Sequence, residues 1–205
     1  DNKYKTMPAY VSRIGESAGK MYGFIYEGTY KESDFNITTD DKGKKVYTLK
    51  EGIASYVKGC QPGDPKYKDM PTIDTNGDGI INDKDRTTIG NGLPTCTGGF
   101  TNSFTYKNWD LSIFLQWSLG NDILNANRMV FENPAKKKNT NMFASYTNRW
   151  TPENPYSNMP RANALGSNEY SSLYVEDGSF LKLKSISLGY NFPAQMLRKA
   201  FISSA

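Results

Sequence analysis

Between Gly99 and Ser118, apolar and polar residues alternate with a period of two across two adjoining segments, the pattern of strands with one apolar face. From Trp109 onward, Trp109, Leu111, Ile113, Leu115 and Trp117 share a face, opposite Asp110, Ser112, Phe114, Gln116 and Ser118. Just upstream, Phe100, Asn102, Phe104 and Tyr106 lie opposite Thr101, Ser103 and Thr105, and only Lys107-Asn108 separates the two runs. That spacing predicts a hairpin pairing Tyr106 with Trp109, Phe104 with Leu111, Asn102 with Ile113 and Phe100 with Leu115, which gathers the rings on one surface. Tyr106 and Trp109 then mark the turn end, and Phe100 and Trp117 the far end, as aromatic girdles flank a lipid-facing band. Strands of about ten residues span a bilayer when tilted. The same hairpin would also serve a soluble β-sandwich, with the apolar face as its core.

Weaker alternation marks other strands. Tyr22, Phe24, Tyr26 and Tyr30 alternate after the short turn Glu16-Ser17-Ala18-Gly19. Over 180–191, Leu181 and Leu183 are followed by Ile186, Leu188 and Tyr190, so the phase slips at Lys184-Ser185, where a β-bulge would absorb the extra residue. Phe192-Pro193 ends that strand, and 194–201 reads as a short basic helical turn. Two polar connections rich in Asn, Pro, Gly, Ser and Thr divide the chain into a long loop 31–96, a transmembrane hairpin 97–118, a long loop 119–172 and a transmembrane strand 173–193, all within one partial barrel region, 1–205. Long loops at one end and tight turns at the other are the asymmetry of outer-membrane barrels, which places both loops outside the cell.

Composition sharpens this picture. The 205 residues carry 25 Lys+Arg against 21 Asp+Glu, a net charge of +4, and no histidine. Without an imidazole there is no Ser-His-Asp or Cys-His nucleophile pair and no H-E-x-x-H zinc site. The charge is too mild and too mixed to imply nucleic acid, and Lys136-Lys137-Lys138 reads as a solvated loop. Hydrophobic residues make up only 37%, yet aromatics reach 13%, with 14 Tyr, and mean hydropathy is -0.65. No run approaches the ~20 apolar residues of a spanning helix, which excludes a helical membrane protein and leaves open a barrel, whose strands average out as polar. The segment Asp1-Asn2-Lys3-Tyr4-Lys5 has no signal-peptide core, so any export signal is expected outside this chain.

The first connection contains Asp74-Thr75-Asn76-Gly77-Asp78-Gly79-Ile80-Ile81-Asn82-Asp83-Lys84-Asp85, an EF-hand-like segment at 74–85. Its candidate Ca2+ ligands are Asp74, Asn76 and Asp78, the Ile80 carbonyl, Asn82 directly or through water, and Asp85 where EF-hands carry a longer Glu. Gly79 supplies the sharp turn, and Ile81 would point into the fold. Carboxylates converging there would repel one another without a cation. The shorter Asp85 suggests an affinity of roughly 10⁻⁴ to 10⁻³ M. The alternative is that Asn76-Gly77 and Asp78-Gly79 are simple turn dipeptides. Cys60 and Cys96, the only two cysteines, bracket the loop; in an exported protein they are candidates for a disulfide worth roughly 3–4 kcal/mol, or for two free thiols. In the second connection Tyr146, Trp150, Tyr156 and Tyr170 lie among many amides, a composition suited to stacking on sugars and equally to loop packing; Trp150 and Tyr156 are the candidates for contact with a substrate or lid. Neither a phosphate loop nor an acid pair in a defined cleft is recognisable, so no catalysis is expected.

Taken in order, Pro62-Gly63-Asp64-Pro65-Lys66-Tyr67-Lys68-Asp69, the segment 74–85, Thr88-Ile89-Gly90-Asn91, Gly98-Gly99-Phe100-Thr101-Asn102, Tyr106-Lys107-Asn108-Trp109-Asp110-Leu111-Ser112, Gly120-Asn121-Asp122, Val175-Glu176-Asp177-Gly178-Ser179-Phe180-Leu181 and Leu188-Gly189-Tyr190-Asn191-Phe192-Pro193 resemble the C-terminal part of the barrel of SusC/RagA-type TonB-dependent outer-membrane transporters of Bacteroidetes. The resemblance implies an all-β fold: an antiparallel transmembrane β-barrel fragment with long extracellular loops, part of a barrel of about 22 strands. It implies import of oligosaccharides or peptides across the Gram-negative outer membrane, with a SusD-like surface lipoprotein as partner. It also implies coupling to TonB-ExbB-ExbD through an N-terminal plug absent from this chain, and a polar face including Asp110, Ser112, Gln116 and Ser118 that lines the lumen. Cys60 and Cys96 are not part of the pattern. The competing expectation is a secreted, soluble, calcium-stabilised β-module that binds glycans.

Overall fold

The computed structural model describes residues 9–56, 58–71, 77–132, 141–166, 169–193 and 197. Of the expected helical turn at 194–201 only Leu197 is described, helical and with its amide donating to the Pro193 carbonyl at 3.3 Å, while the lysine run and two of the proposed calcium ligands, Asp74 and Asn76, lie outside the described residues. In chain order the strands are β1 (Tyr10–Val11), β2 (Lys20–Gly23), β3 (Tyr26–Thr29), β4 (Phe35–Thr39), β5 (Lys45–Leu49), β6 (Pro65–Tyr67), β7 (Thr87–Asn91), β8 (Cys96–Tyr106), β9 (Trp109–Leu119), β10 (Asp122–Leu124), β11 (Val175–Asp177) and β12 (Phe180–Tyr190). A short α-helix, α1 (Ala126–Phe131), follows β10. The ladders β1–β2, β2–β7, β3–β6, β4–β5, β8–β9 and β9–β12 are antiparallel, and no helix among the described residues is long and apolar enough to cross a membrane. The chain divides into two compact units, one made of residues up to Gly92 with Ile123–Glu176, the other of Leu93–Asp122 with residues from Asp177 on.

The second unit is an antiparallel sheet in the order β12-β9-β8. Tyr106 faces Trp109, Phe104 faces Leu111, Asn102 faces Ile113 and Phe100 faces Leu115, as the spacing predicts. The two-residue turn is achieved with Lys107 at φ 54, a conformation more usual for glycine. Strand β12 joins on the other side of β9, with Tyr190, Leu188, Ile186, Leu183 and Leu181 opposite Trp109, Leu111, Ile113, Leu115 and Trp117, and its register shifts between Leu183 and Ser185. The bulge keeps the aliphatic residues on one face despite the phase slip. Asp177 Oδ1 accepts the Ser179 amide at 2.8 Å, Ser179 Oγ accepts the Gly120 amide at 2.9 Å and Gly178 donates to the Asn121 carbonyl at 2.8 Å, fixing the start of β12 beside the end of β9.

The first unit holds the buried residues. Segment 20–30 runs through it: β2 pairs with β1 and β7, β3 pairs with β6, and between them the Phe24 amide donates to the Tyr170 carbonyl at 2.9 Å. Phe24 is fully buried, its ring stacked on Tyr67 at 5.0 Å and edge-on to Tyr56 at 5.5 Å. Tyr30, Phe35 and Cys60 form a second cluster. Burying each large side chain contributes about 1.5–3 kcal/mol. The alternation of Tyr22, Phe24, Tyr26 and Tyr30, expected to support the barrel, therefore serves this unit: the strand breaks after Gly23, and its rings enter a protein core. Connection 31–96 is likewise no plain loop, since it carries β4–β7.

Candidate functional site

Three places bear on function: the apolar face of β8, β9 and β12, the segment closing on Asp85, and the aromatic loop around Trp150. The apolar face presents Leu181, Leu188 and Ile186 with 72%, 65% and 62% of their surfaces exposed in this chain. Phe100, Tyr106, Trp109 and Trp117 stand on that one face with the aliphatic rows. At the turn end the girdle is larger than the hairpin alone suggests, because Tyr190 packs on Trp109 at 4.7 Å and Phe192 on Tyr190 at 5.0 Å. From Trp109 to Trp117 the face runs about 27 Å along β9, or about 20 Å in height at a tilt of about 40°, comparable to the band of an outer-membrane barrel. Asn102 interrupts it, paired across from Ile113.

The segment at 74–85 closes on itself. The Asp85 carboxylate is buried, accepting the Met70 amide at 2.9 Å and the Asn82 amide at 2.7 Å. Asn82 Oδ1 caps Lys84 at 2.9 Å, while its Nδ2 donates to the Ile80 carbonyl at 3.1 Å. Asp78 Oδ1 accepts the Ile80 amide at 2.9 Å, and Ile81 is buried as expected. Three of the candidate ligands, Ile80, Asn82 and Asp85, thus already serve the turn. Among the described residues no three acidic or cysteine side chains cluster to hold a metal. A residue outside the motif completes the closure: Asp69 Oδ2 accepts the Gly79 amide at 2.8 Å, and its buried Oδ1 has no partner. Gly77, at φ 105, lies so near that an added Cβ would come within 2.6 Å of that carboxylate.

Of the two alternatives for the cysteines, the structure carries the free thiols at both Cys60 and Cys96. Cys60 is buried with Tyr30 and Phe35, its Sγ 3.7 Å from the Ser55 hydroxyl, whereas Cys96 opens β8 and is exposed. Burial pushes the Cys60 thiol up, away from the reactive thiolate.

Trp150 and Tyr156 part company. The Trp150 indole packs against Gly63, where an added Cβ would come within 2.5 Å of the ring, and its amide donates to the Met159 carbonyl at 2.9 Å. It is part of the packing, not a presented surface. Tyr156 is 85% exposed on the same loop. The surrounding amides are partly used locally, with Asn154 Nδ2 and Ser157 Oγ both donating to the Asn148 carbonyl.

Two ion-paired arginines, neither foreseen, help to hold this unit together. Arg161 Nε meets the buried Asp64 at 2.7 Å, and the same carboxylate accepts the Gln61 and Leu165 amides. Arg86 lies over the Phe24 ring at 4.2 Å and pairs with Glu169 at 2.5 Å and Asp83 at 3.1 Å. Tyr56 donates to Glu169 at 2.8 Å; burial, then the bond and charge of that carboxylate, push its phenol up to about 12. The only sequence signal for these pairs was the Pro62-Gly63-Asp64-Pro65 run, whose chemistry is structural.

No protein-family model matches the chain. It is 34% identical over 189 residues to TonB-dependent receptor P3 of Formosa agariphila, covering 92% of this chain and 16% of that protein. It is 39% identical to TonB-dependent receptor P26 of the same organism (90% and 17%), and 30% identical to TonB-dependent receptor SusC of Bacteroides thetaiotaomicron (78% and 16%). Among solved structures it matches the RagAB peptide transporter with a TM-score of 0.62 at 20% identity, covering 93% of this chain and 18% of that one. It matches the open-open state of the RagAB peptide importer with the same score, covering 94% and 18%. The chain therefore spans about a sixth of the length of these curated relatives.

Proposed function

Because this chain is a homologue of SusC/RagA-type TonB-dependent receptors along most of its length, we propose that it forms part of the barrel wall and extracellular loops of an outer-membrane receptor. That receptor imports oligosaccharides or peptides with a SusD-like lipoprotein and draws energy through TonB-ExbB-ExbD. The observation that carries this reading is the apolar face of β8, β9 and β12, which is ring-bordered and lies opposite a hydroxyl-rich face. A soluble secreted module would have to cover that face with a second layer. The exposed Tyr156 is offered to the lipoprotein or substrate, and nothing in the reading asks for catalysis. The test is fractionation of the full-length gene product. It should be found in the outer membrane and require detergent, and deleting its gene should abolish uptake of its nutrient; a soluble, monomeric product without detergent overturns the proposal.

Cation binding at 74–85 is a separate part of the proposal. The unpartnered Asp69 oxygen beside Gly77 supports it, while the internal bonds of Asn82 and Asp85 make the turn able to close without an ion. Calorimetric Ca2+ titration of the full-length receptor should show a weak site removed by Asp74→Ala and weakened by Asp69→Asn. Superimposable traces for parent and variants would leave the segment a plain turn.

A further inference from the structure

The polar face of the sheet, opposite the lipid-facing rows, carries mainly hydroxyls and glycines: Thr105 with Asp110 and Gly189, Ser103 with Ser112 and Ser187, Thr101 with Phe114 and Ser185, Gly99 with Gln116 and Lys182, and Thr97 with Ser118 and Phe180. Two rings stand out on it. They border one shallow cleft, lined on this face by Thr97, Gly99, Phe114, Gln116, Ser118 and Phe180, at the end of the sheet from which the long connections leave. Gly99 makes the floor, because an added Cβ there would come within 2.9 Å of the Phe114 ring. Phe180 is 44% exposed, and its ring is available for stacking. The Ser118 hydroxyl is engaged with Asn121 at 3.0 Å, whereas the Gln116 carboxamide and the Thr97 hydroxyl have no hydrogen-bond partner among the described residues. The half-buried Gln116 amide is thus open to the cleft, with donor and acceptor both free for a solute.

We propose that this cleft is a subsite for neutral oligosaccharide on the lumen-facing side of the wall, with the solute's apolar ring face on Phe180 and its hydroxyls on Gln116 and Thr97. The inference rests on the receptor reading above, which assigns the polar face to the lumen. It narrows the substrate from oligosaccharide or peptide to the former. The chemistry argues for that choice: the lining residues carry no charge, and Lys182, across from Gln116 on the same face, is a single cation with no carboxylate in the lining to complement it, so the paired charges of a peptide are not met, while an exposed ring beside an open planar amide and a hydroxyl matches a sugar, which has C–H faces and a rim of hydroxyls.

The experiment uses the full-length receptor in detergent, with a panel of neutral hexa- to octasaccharides (α-glucan, β-glucan and mannan) and a tryptic peptide mixture as probes, read by calorimetry. At least one oligosaccharide should bind, and Phe180→Ala and Gln116→Ala should each weaken it by about three- to tenfold, consistent with the loss of one ring or one hydrogen-bonding group. Leu188→Ala, on the lipid face, should leave the affinity unchanged. Undiminished affinity in both cleft variants, or binding of peptides with no oligosaccharide, overturns the proposal. So does loss of the heat-resistant folded form in Phe180→Ala, which would show that another part of the receptor packs into the cleft. In each case the parent receptor keeps its outer-membrane location and nutrient uptake, so failure of the subsite is distinguishable from failure of the receptor reading.

Discussion

Trp117 lies across Gly98 and Phe114 across Gly99, so two adjacent glycines make room for rings on opposite faces of one sheet; a Cβ at Gly98 would sit within 2.3 Å of the indole. Gly98→Ala should therefore destabilise the folded receptor by about 1–3 kcal/mol, because the ring must leave its place. A lower midpoint in the heat-modifiability transition would show it, and the loss should shrink in a Trp117→Leu background. An unchanged midpoint would mean the indole moves freely and the glycine is not required there. The pair Trp150 and Tyr156 teaches the same lesson from the other side. Both are aromatic loop residues a few positions apart, yet one is packed on Gly63 and the other exposed, a difference created by a contact with a segment far away in sequence.

Among elements, β12 is the informative one. Its bulge restores the aliphatic face after Lys184, so Ile186 sits in the middle row beside Ile113 while Ser187 faces the other way beside Ser112. If the apolar face meets lipid, Ile186→Lys should cost about 2–4 kcal/mol, the depth-dependent price of a cation near the bilayer midplane, and Ser187→Lys should cost far less. Unfolding of both variants in urea with the receptor held in lipid vesicles checks this. Equal costs would contradict a lipid-facing assignment. The hairpin β8–β9 was legible because its signal is local: a two-residue turn sets the register and the side-chain period sets the face. Strands β4 to β7 were not, because β4 and β5 form a hairpin of short strands with a mixed pattern, and β6 and β7 pair with the distant β3 and β2.

Taking the chain as a whole, the buried tyrosines of the first unit give a pH prediction. Tyr56 is pushed up to about 12, first by burial and then by Glu169, and burial likewise raises Tyr26, Tyr30 and Tyr67. A raised phenol pKa means stability present below the unfolded value near 10 and lost as pH climbs through the folded one. This unit should therefore hold up to pH about 10 and give way between about 10 and 12 as tyrosinate forms. Tyrosinate absorbance recorded with limited proteolysis would follow it, and simple titration near pH 10 without new cleavage would refute the buried environment.

The sequence by itself determined the alternation of β8, β9 and β12, the facing residues of β8 and β9 and the need for a bulge in β12, because a one-residue slip would turn every side chain to the wrong face. It also carried the ordered motifs shared with TonB-dependent receptors. Only the tertiary structure decided that segment 20–30 belongs to a protein core, that Cys60 is buried while Cys96 is exposed, and that Asp85 serves its own turn. It alone revealed Asp64 with Arg161 and Arg86 with Glu169, partners 97 and 83 positions apart. The physical reason is one of range: strand alternation and tight turns leave a local trace in the chain, whereas burial and ion pairing depend on which distant segments fold against each other, and leave none.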